Sequence, residues 1–408
     1  MNTRDLLRRP GFRPLVTTYG LSEVVDWLTT VALAVLVYDA THSPVATTVL
    51  FVASKFVPAF IAPAVTARVD GIAPRRSLPV LYALQGAAFG GMALVGGSVP
   101  AVVALAALAG GAALVSRALV RAAVVSALPD AEDLRSGNAL MNVVFSTAFA
   151  VGPAVAGAAV AIAGVRLTLV AGAALLAGMA LYAGLSVLPA LIVEDEEAGD
   201  GWFTKLNRAI QHVRREPALA RLFSTQGVLL VFFTMVPPIE VVYAREELGT
   251  TAAGLGALMA AWGVGAIAGS ALFARVARYG TLPVTIGASM AMGVSYLGMG
   301  LSATLLAACA LSAVGGLGNG MQWIAFVTAV QERTPRALQA RAMALVESLG
   351  AAVPGIGFAL GGAIAAAASA RVAYDVAGIA IIAIALAGAV VIRGLPGSSR
   401  AQPAPATA

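Results

Sequence analysis

The chain has 408 residues, 59% of them apolar and 11% charged, with a mean hydropathy of +0.88, whereas a soluble domain carries roughly 25% charged residues. Twenty-six Lys and Arg with 20 Asp and Glu cannot cover a water-facing surface of this size, which excludes a soluble fold; the apolar bulk of Ala, Val, Leu and 44 Gly lacks the alternation of an outer-membrane barrel. The net charge of +6 is spread over short loops, so it reads as a topology signal rather than a nucleic-acid surface, and a single cysteine, Cys309, excludes disulfide, zinc and thiol-redox chemistry.

A membrane-spanning helix needs about 20 mainly apolar residues, and cutting at charged or Gly/Pro-rich breaks predicts twelve. Arg4, Arg8, Arg9 and Arg13 lead into the first span, 14–38, with no small-residue cleavage site behind it, so it is expected to remain as an anchor. The second, 44–66, is followed by a loop with Arg68, Asp70, Arg75 and Arg76, and the third and fourth, 78–97 and 101–122, are joined by a short turn at Gly97–Pro100. The fifth and sixth are 138–162 and 166–188. A polar stretch then opens with Glu194, Asp195, Glu196, Glu197 and Asp200, and continues with Trp202, Phe203, Leu206, Ile210 and Val213 at helical spacing among basic residues, the pattern of a helix lying in the headgroup region. Beyond it come 219–243, 252–274, 281–301, 304–328, 340–364 and 372–393. The expected organisation is a six-helix bundle over 1–189, a linker over 190–218, a second bundle over 219–396 and an Ala/Pro/Ser-rich tail over 397–408. Lys and Arg gather on the side of both termini, while the other side holds only Arg166, Arg245 and Arg371, which predicts cytoplasmic termini in an inner membrane.

The two halves carry related text. Asn138-Ala139-Leu140-Met141 through Gly152 and Pro153 aligns, shifted by 203 positions, with Arg341-Ala342-Met343-Ala344 through Gly355, laying the fifth span over the eleventh. Two six-helix repeats around a crevice are a transporter plan, with the site near the midplane. Leu21-Ser22-Glu23-Val24-Val25-Asp26-Trp27-Leu28, followed by Val37-Tyr38-Asp39, resembles the first helix of the major facilitator superfamily, in its enterobactin-exporter-like and drug-exporter-like branch. Lys55 with Pro58, Arg121, Asn138-Ala139-Leu140 with Gly152-Pro153, Val213-Arg214-Arg215 with Pro217, and Tyr243-Ala244-Arg245 with Leu248-Gly249 extend the resemblance in order along nearly the whole chain. It implies an all-α integral membrane fold of twelve helices in two six-helix pseudo-repeats. The departures are specific. The loop after the second span keeps Asp70, Arg75 and Arg76 but has Thr66 where Gly is expected and Gly71 where Arg is expected; the loop after the eighth has no acid; and Gly152, Pro153 and Gly157 lack the full glycine spacing of the export-associated motif.

Ionisable groups at membrane depth cost roughly 2.5 to 3.5 kcal/mol on insertion scales, so each invites a functional reading. Glu23 and Asp26 lie at i, i+3 on one face of the first span, with Tyr19 and Thr30 extending the stripe. Two carboxylates in a low-dielectric crevice cannot both stay ionised cheaply, so one is expected to carry the coupled proton; the bland alternative is a fixed pair with Lys55 that merely ties the first two spans together. Arg117 is expected to snorkel to the headgroups about as readily as to face inward. By resemblance, Arg121 could join Asp70, Arg75 and Arg76 in a cytoplasmic gate. Tyr19, Lys55, Asn142, Gln226, Gln322, Trp323 and Glu347 are candidates for the cavity, and Trp262 offers an aromatic face; Glu240, after Pro237-Pro238-Ile239, leans toward solvent at a broken helix end. No Walker loop is present, the Gly316–Gly320 run lies in an apolar span and reads as helix packing, and His42 and His212 are isolated, so neither an enzyme, a metal nor a cofactor is expected. The reading is a proton-coupled exporter of a small amphiphilic molecule such as a drug, siderophore or secondary metabolite, acting as a monomer. Its rivals are a uniporter or symporter importing a metabolite, and a sensor or scaffold with a transporter fold.

Overall fold

The computed structural model describes residues 6–9, 11–60, 74–95, 97–189, 211, 217–334 and 339–393. All regular structure among them is helical. Helix α1 runs over Phe12–Thr41, α2 over Pro44–Phe60, α3 over Pro74–Leu94 and α4 over Val99–Ala127. The stretch Ala131–Leu185 is continuous only in outline, because Gly164 has φ 77° and ψ 164° and turns the chain back on itself. A positive φ carries no Cβ penalty for glycine, and it separates α5 (131–163) from α6 (165–185). Then come α7 (Leu219–Glu247), α8 (Ala252–Val276), α9 (Thr281–Leu301), α10 (Leu305–Glu332), α11 (Gln339–Ala352, resumed as Pro354–Ala367) and α12 (Ala370–Arg393).

All twelve expected spans therefore have a helix, although α2 meets the edge of the described residues at Phe60. The largest boundary shift is at α5, expected from 138 and starting at Ala131. Its first turn is polar, which hid it from a hydropathy reading, but Glu132 and Asp133 there complement the positive end of the helix dipole, and Arg9 donates to Asp133 from the approach to α1. The interfacial stretch of the linker, the tail over 397–408 and Asp70 lie outside the described residues.

Three breaks in helical regularity decide what faces the interior. A π-helical turn over Val52–Phe56 inserts an extra residue into α2 around Lys55. In α7, Pro237 and Pro238 have no N–H to donate, so the helix tightens into a short 3₁₀ turn over Pro237–Ile239 and restarts at Glu240. A second π turn, Tyr243–Glu247, ends α7.

Within the first half, α1 packs on α5, and α3 on α4 and α6; in the second, α10 packs on α8 and α9, and α12 on α7 and α9. The halves meet through α5 against α8 and α11 against α2. These two contacts are the same pairing with the halves exchanged, in keeping with the alignment of the fifth span over the eleventh. At the first, Gly157 and Gly256 face each other so closely that a Cβ on either would come within 2.4 Å of a carbonyl oxygen opposite, that of Ala252 or of Pro153. Gly316 and Gly320 lie against the α8 backbone at Trp262 and Ala266, so that run is helix packing.

Candidate functional site

The acidic stripe of α1 points inward. Glu23 is buried and Asp26 half-buried. Lys55, carried by the π turn of α2, donates to both carboxylate oxygens of Asp26 at 2.8 Å. Arg117 of α4 approaches the same pair, with Nη1 at 3.7 Å from Asp26 Oδ2 and 3.9 Å from Glu23 Oε1. It turns inward rather than snorkelling, because two anions lie within its reach and its side chain is only 26% exposed. One turn before Glu23, the buried Tyr19 accepts from Arg121 Nη2 at 3.5 Å. The result is a cluster of two acids and two bases from α1, α2 and α4, neutral when all four are ionised, with Tyr19 and Arg121 at its edge. Both the Asp26–Lys55 pair expected as the bland alternative and a second acid sharing a cation are present together.

Asp26 and Lys55 also reach the interface between the halves, where a cavity of about 290 Å³ lies. Its opposite side belongs to α7–α12 and is rich in aromatic residues. Phe233, Trp262 and Tyr296 form a wall in which Trp262 stacks on Tyr296 with centroids 5.4 Å apart, and Phe233 lies parallel to Tyr296 at 6.4 Å. The Tyr296 hydroxyl is spent on the Phe233 carbonyl at 3.2 Å. Trp27 and Phe149, in edge contact at 5.6 Å, close the first-half side. Glu240 lines this cavity at the restart of α7 and, among the described residues, has no hydrogen bond or ion pair. The expectation of a solvent-exposed end is thereby corrected: the proline break turns the carboxylate inward. Tyr374, fully buried on α12, lines the same cavity with its hydroxyl unpartnered.

On the side away from the termini, the halves are fastened by polar contacts. Arg245 donates to Asp39 at 2.8 Å and Tyr38 donates to Glu246, joining the end of α1 to the π turn of α7. Arg371 binds Glu247 at 2.6 Å and the carbonyls of Gly300 and Ser302 at 2.8 Å each, which holds α7, α9 and α12 together. Sequence reasoning missed this clasp as a unit, although Tyr38-Asp39 and Tyr243-Ala244-Arg245 were among the residues that carried the resemblance; their separation by more than 200 positions hid the pairing.

The other candidates are dispersed. Gln322 donates to Gln226 at 2.6 Å, and both are buried between α7 and α10, so their amides satisfy each other away from the central cavity. Trp323 is 39% exposed and tilted against Phe326, and Asn142 and Glu347 are exposed; none of the three lines the cavity. Arg75 and Arg76 are exposed in the first turn of α3. Gly152 lies against Trp27, and Pro153 and Gly157 form the α5 side of the contact with α8.

A family model described as a transmembrane secretion effector matches residues 4–403. No curated protein sequence matches the chain. Among solved structures, the nucleoside transporter NupG is similar at TM-score 0.72 and 14% identity, over 94% of this chain and 99% of that one. A POT family transporter in complex with 5-aminolevulinic acid aligns at TM-score 0.72 and 12% identity, over 98% and 100%. A bacterial homologue of the human lysosomal transporter Spinster, inward-facing and unoccupied, aligns at TM-score 0.66 and 11% identity, over 93% and 94%.

Proposed function

We propose, from the premise that the chain belongs to the transmembrane secretion effector family of the major facilitator superfamily, that it exports a small amphiphilic molecule in exchange for protons. The chain is a multi-pass membrane transporter, and the family and the similar structures are transporters rather than enzymes. Outward direction is favoured by the secretion named for the family; the nucleoside and peptide transporters share only the fold. On this reading both termini are cytoplasmic in an inner membrane, so the clasp of Tyr38, Asp39, Arg245 and Glu246 faces outward.

The observation that carries the reading is the Glu23–Asp26–Lys55–Arg117 cluster, whose Asp26 and Lys55 line the cavity. An acid that neutralises a mobile cation does so only while ionised. Protonating Asp26 frees Lys55, and protonating Glu23 leaves Arg117 to Asp26 alone; either event re-pairs side chains on three helices of one half. A proton can thus bias the two access states through differential contacts, as coupling requires. Asp70, with Arg75, Arg76 and Arg121, is assigned to gating at the cytoplasmic face, Pro153 and Gly157 to the sliding contact of α5 on α8, and Gly152 to the contact of α5 with Trp27 on α1.

The test is transport in proteoliposomes under an imposed pH gradient, with a panel of fluorescent amphiphiles as probes. Substrate moving against the proton flow, and stopping when a protonophore collapses the gradient, is the expected result. Movement with the protons, or movement indifferent to the gradient, would refute antiport.

A further inference from the structure

Among the described residues, three ionisable side chains other than tyrosines line the central cavity, Asp26, Lys55 and Glu240, which is one acid more than there are bases. Lys55 is bidentate on Asp26, so that pair cancels, while Arg117 behind it is matched by Glu23. Glu240 is left over. It stands on the opposite half with no polar partner among the described residues, at a helix restart that aims it inward, and it shares that side of the cavity with the aromatic wall of Phe233, Trp262 and Tyr296. Tyr374 lines the same space, with its hydroxyl buried and unpartnered among the described residues.

Each of these features selects the same ligand chemistry. A lone carboxylate in an apolar site is costly to ionise, and a single positive charge bound beside it offsets that cost because the local dielectric is low. Aromatic faces attract a cation through their quadrupoles, and more so once it is desolvated, while offering their area to an apolar body. An anion would oppose ionisation of Glu240, and a neutral solute would offer it no counter-charge.

We infer that Glu240, Tyr374 and the Phe233–Trp262–Tyr296 wall form the binding site for an organic monocation with an apolar, aromatic body, and that such cations are the substrate class. The inference rests on the exporter reading only for the word substrate, since binding itself needs no gradient. For that reason equilibrium binding tests it independently of coupling.

The probes are tetraphenylphosphonium and tetraphenylborate, which share size and shape and differ in sign, titrated by calorimetry into the purified protein in nanodiscs. Wild type is expected to bind the phosphonium saturably and the borate at least about tenfold more weakly. Glu240→Gln should weaken phosphonium binding about tenfold or more, Glu240→Asp should largely retain it, and Trp262→Ala should weaken it about fivefold. No saturable phosphonium binding, equal affinity for the two ions, or undiminished affinity in Glu240→Gln would overturn the inference; the comparison of ions on wild type holds even if a variant does not fold. Cation binding without gradient-driven transport would remove the exporter reading and leave the site in place, whereas gradient-driven export without charge preference would do the reverse.

Discussion

Asp26 is held by two cations at once, and what happens when either is removed separates structure from coupling. Its pair with Lys55 faces a cavity, with side chains 27% and 34% exposed, so truncating one partner should cost more than the 1 kcal/mol or so typical of surface pairs and less than the roughly 3 to 5 of fully buried ones. Melting temperatures of Lys55→Ala, Asp26→Asn and the double variant in detergent should show the double variant no worse than Lys55→Ala, because the stranded carboxylate is gone; simple additivity would mean the two groups do not stabilise one another. Glu23 is the sharper test of coupling. It is buried, it shares Arg117 at the edge of ion-pair distance, and it has no hydrogen bond of its own among the described residues. Glu23→Gln is expected to melt within about 1 kcal/mol of wild type while abolishing uphill export and leaving downhill exchange of substrate. Normal accumulation against a gradient in that variant would return the coupling role to Asp26 or elsewhere.

At the scale of the helix, the spans were legible because hydropathy over 20 residues needs no knowledge of neighbours. The orientation of particular side chains was not. Arg117 looked free to snorkel because a sequence does not reveal that α1 will present two anions to it, and Glu240 looked exposed because a proline pair marks a break without saying which way the restarted helix turns. Lys55 gains its reach from a π turn, which leaves no compositional trace at all. The Gly-Pro text of α5 was readable as a motif, yet its use depends on Gly256, 103 positions after Pro153. That contact yields its own expectation. In Gly256→Leu the first side-chain carbon would fall 2.4 Å from the Pro153 carbonyl, a backbone atom that can yield only if α5 and α8 separate. Over-packing of this kind costs about 1 to 3 kcal/mol, all of it charged to the state in which the two helices touch. Thr30→Cys, in a Cys309→Ala background, should then react faster with an impermeant thiol reagent added on the clasp side; an unchanged rate would mean that the contact survives the cycle.

For the molecule as a whole, two halves in pseudo-symmetric contact were visible in the sequence as a faint repeat, and the cavity between them was expected without its charge. Closure on one side is held by α1 and α7 through Arg245–Asp39 and Tyr38–Glu246, in addition to the α5–α8 and α2–α11 contacts. An exposed pair contributes roughly 0.2 to 1 kcal/mol, so Asp39→Asn should raise the population open on that side severalfold at most, read as faster Thr30→Cys labelling from the clasp side with near-normal stability. No change in labelling would leave closure to the glycine contacts alone. Two of the three basic residues on that face, Arg245 and Arg371, are already committed to acids. With Asp39 half exposed, the clasp is open to mobile ions, which screen charges over about 8 Å at physiological ionic strength. Ionic strength is therefore expected to act on the latch from the side of the membrane that the clasp faces, where mobile ions weaken it and shift the resting balance between the two access states.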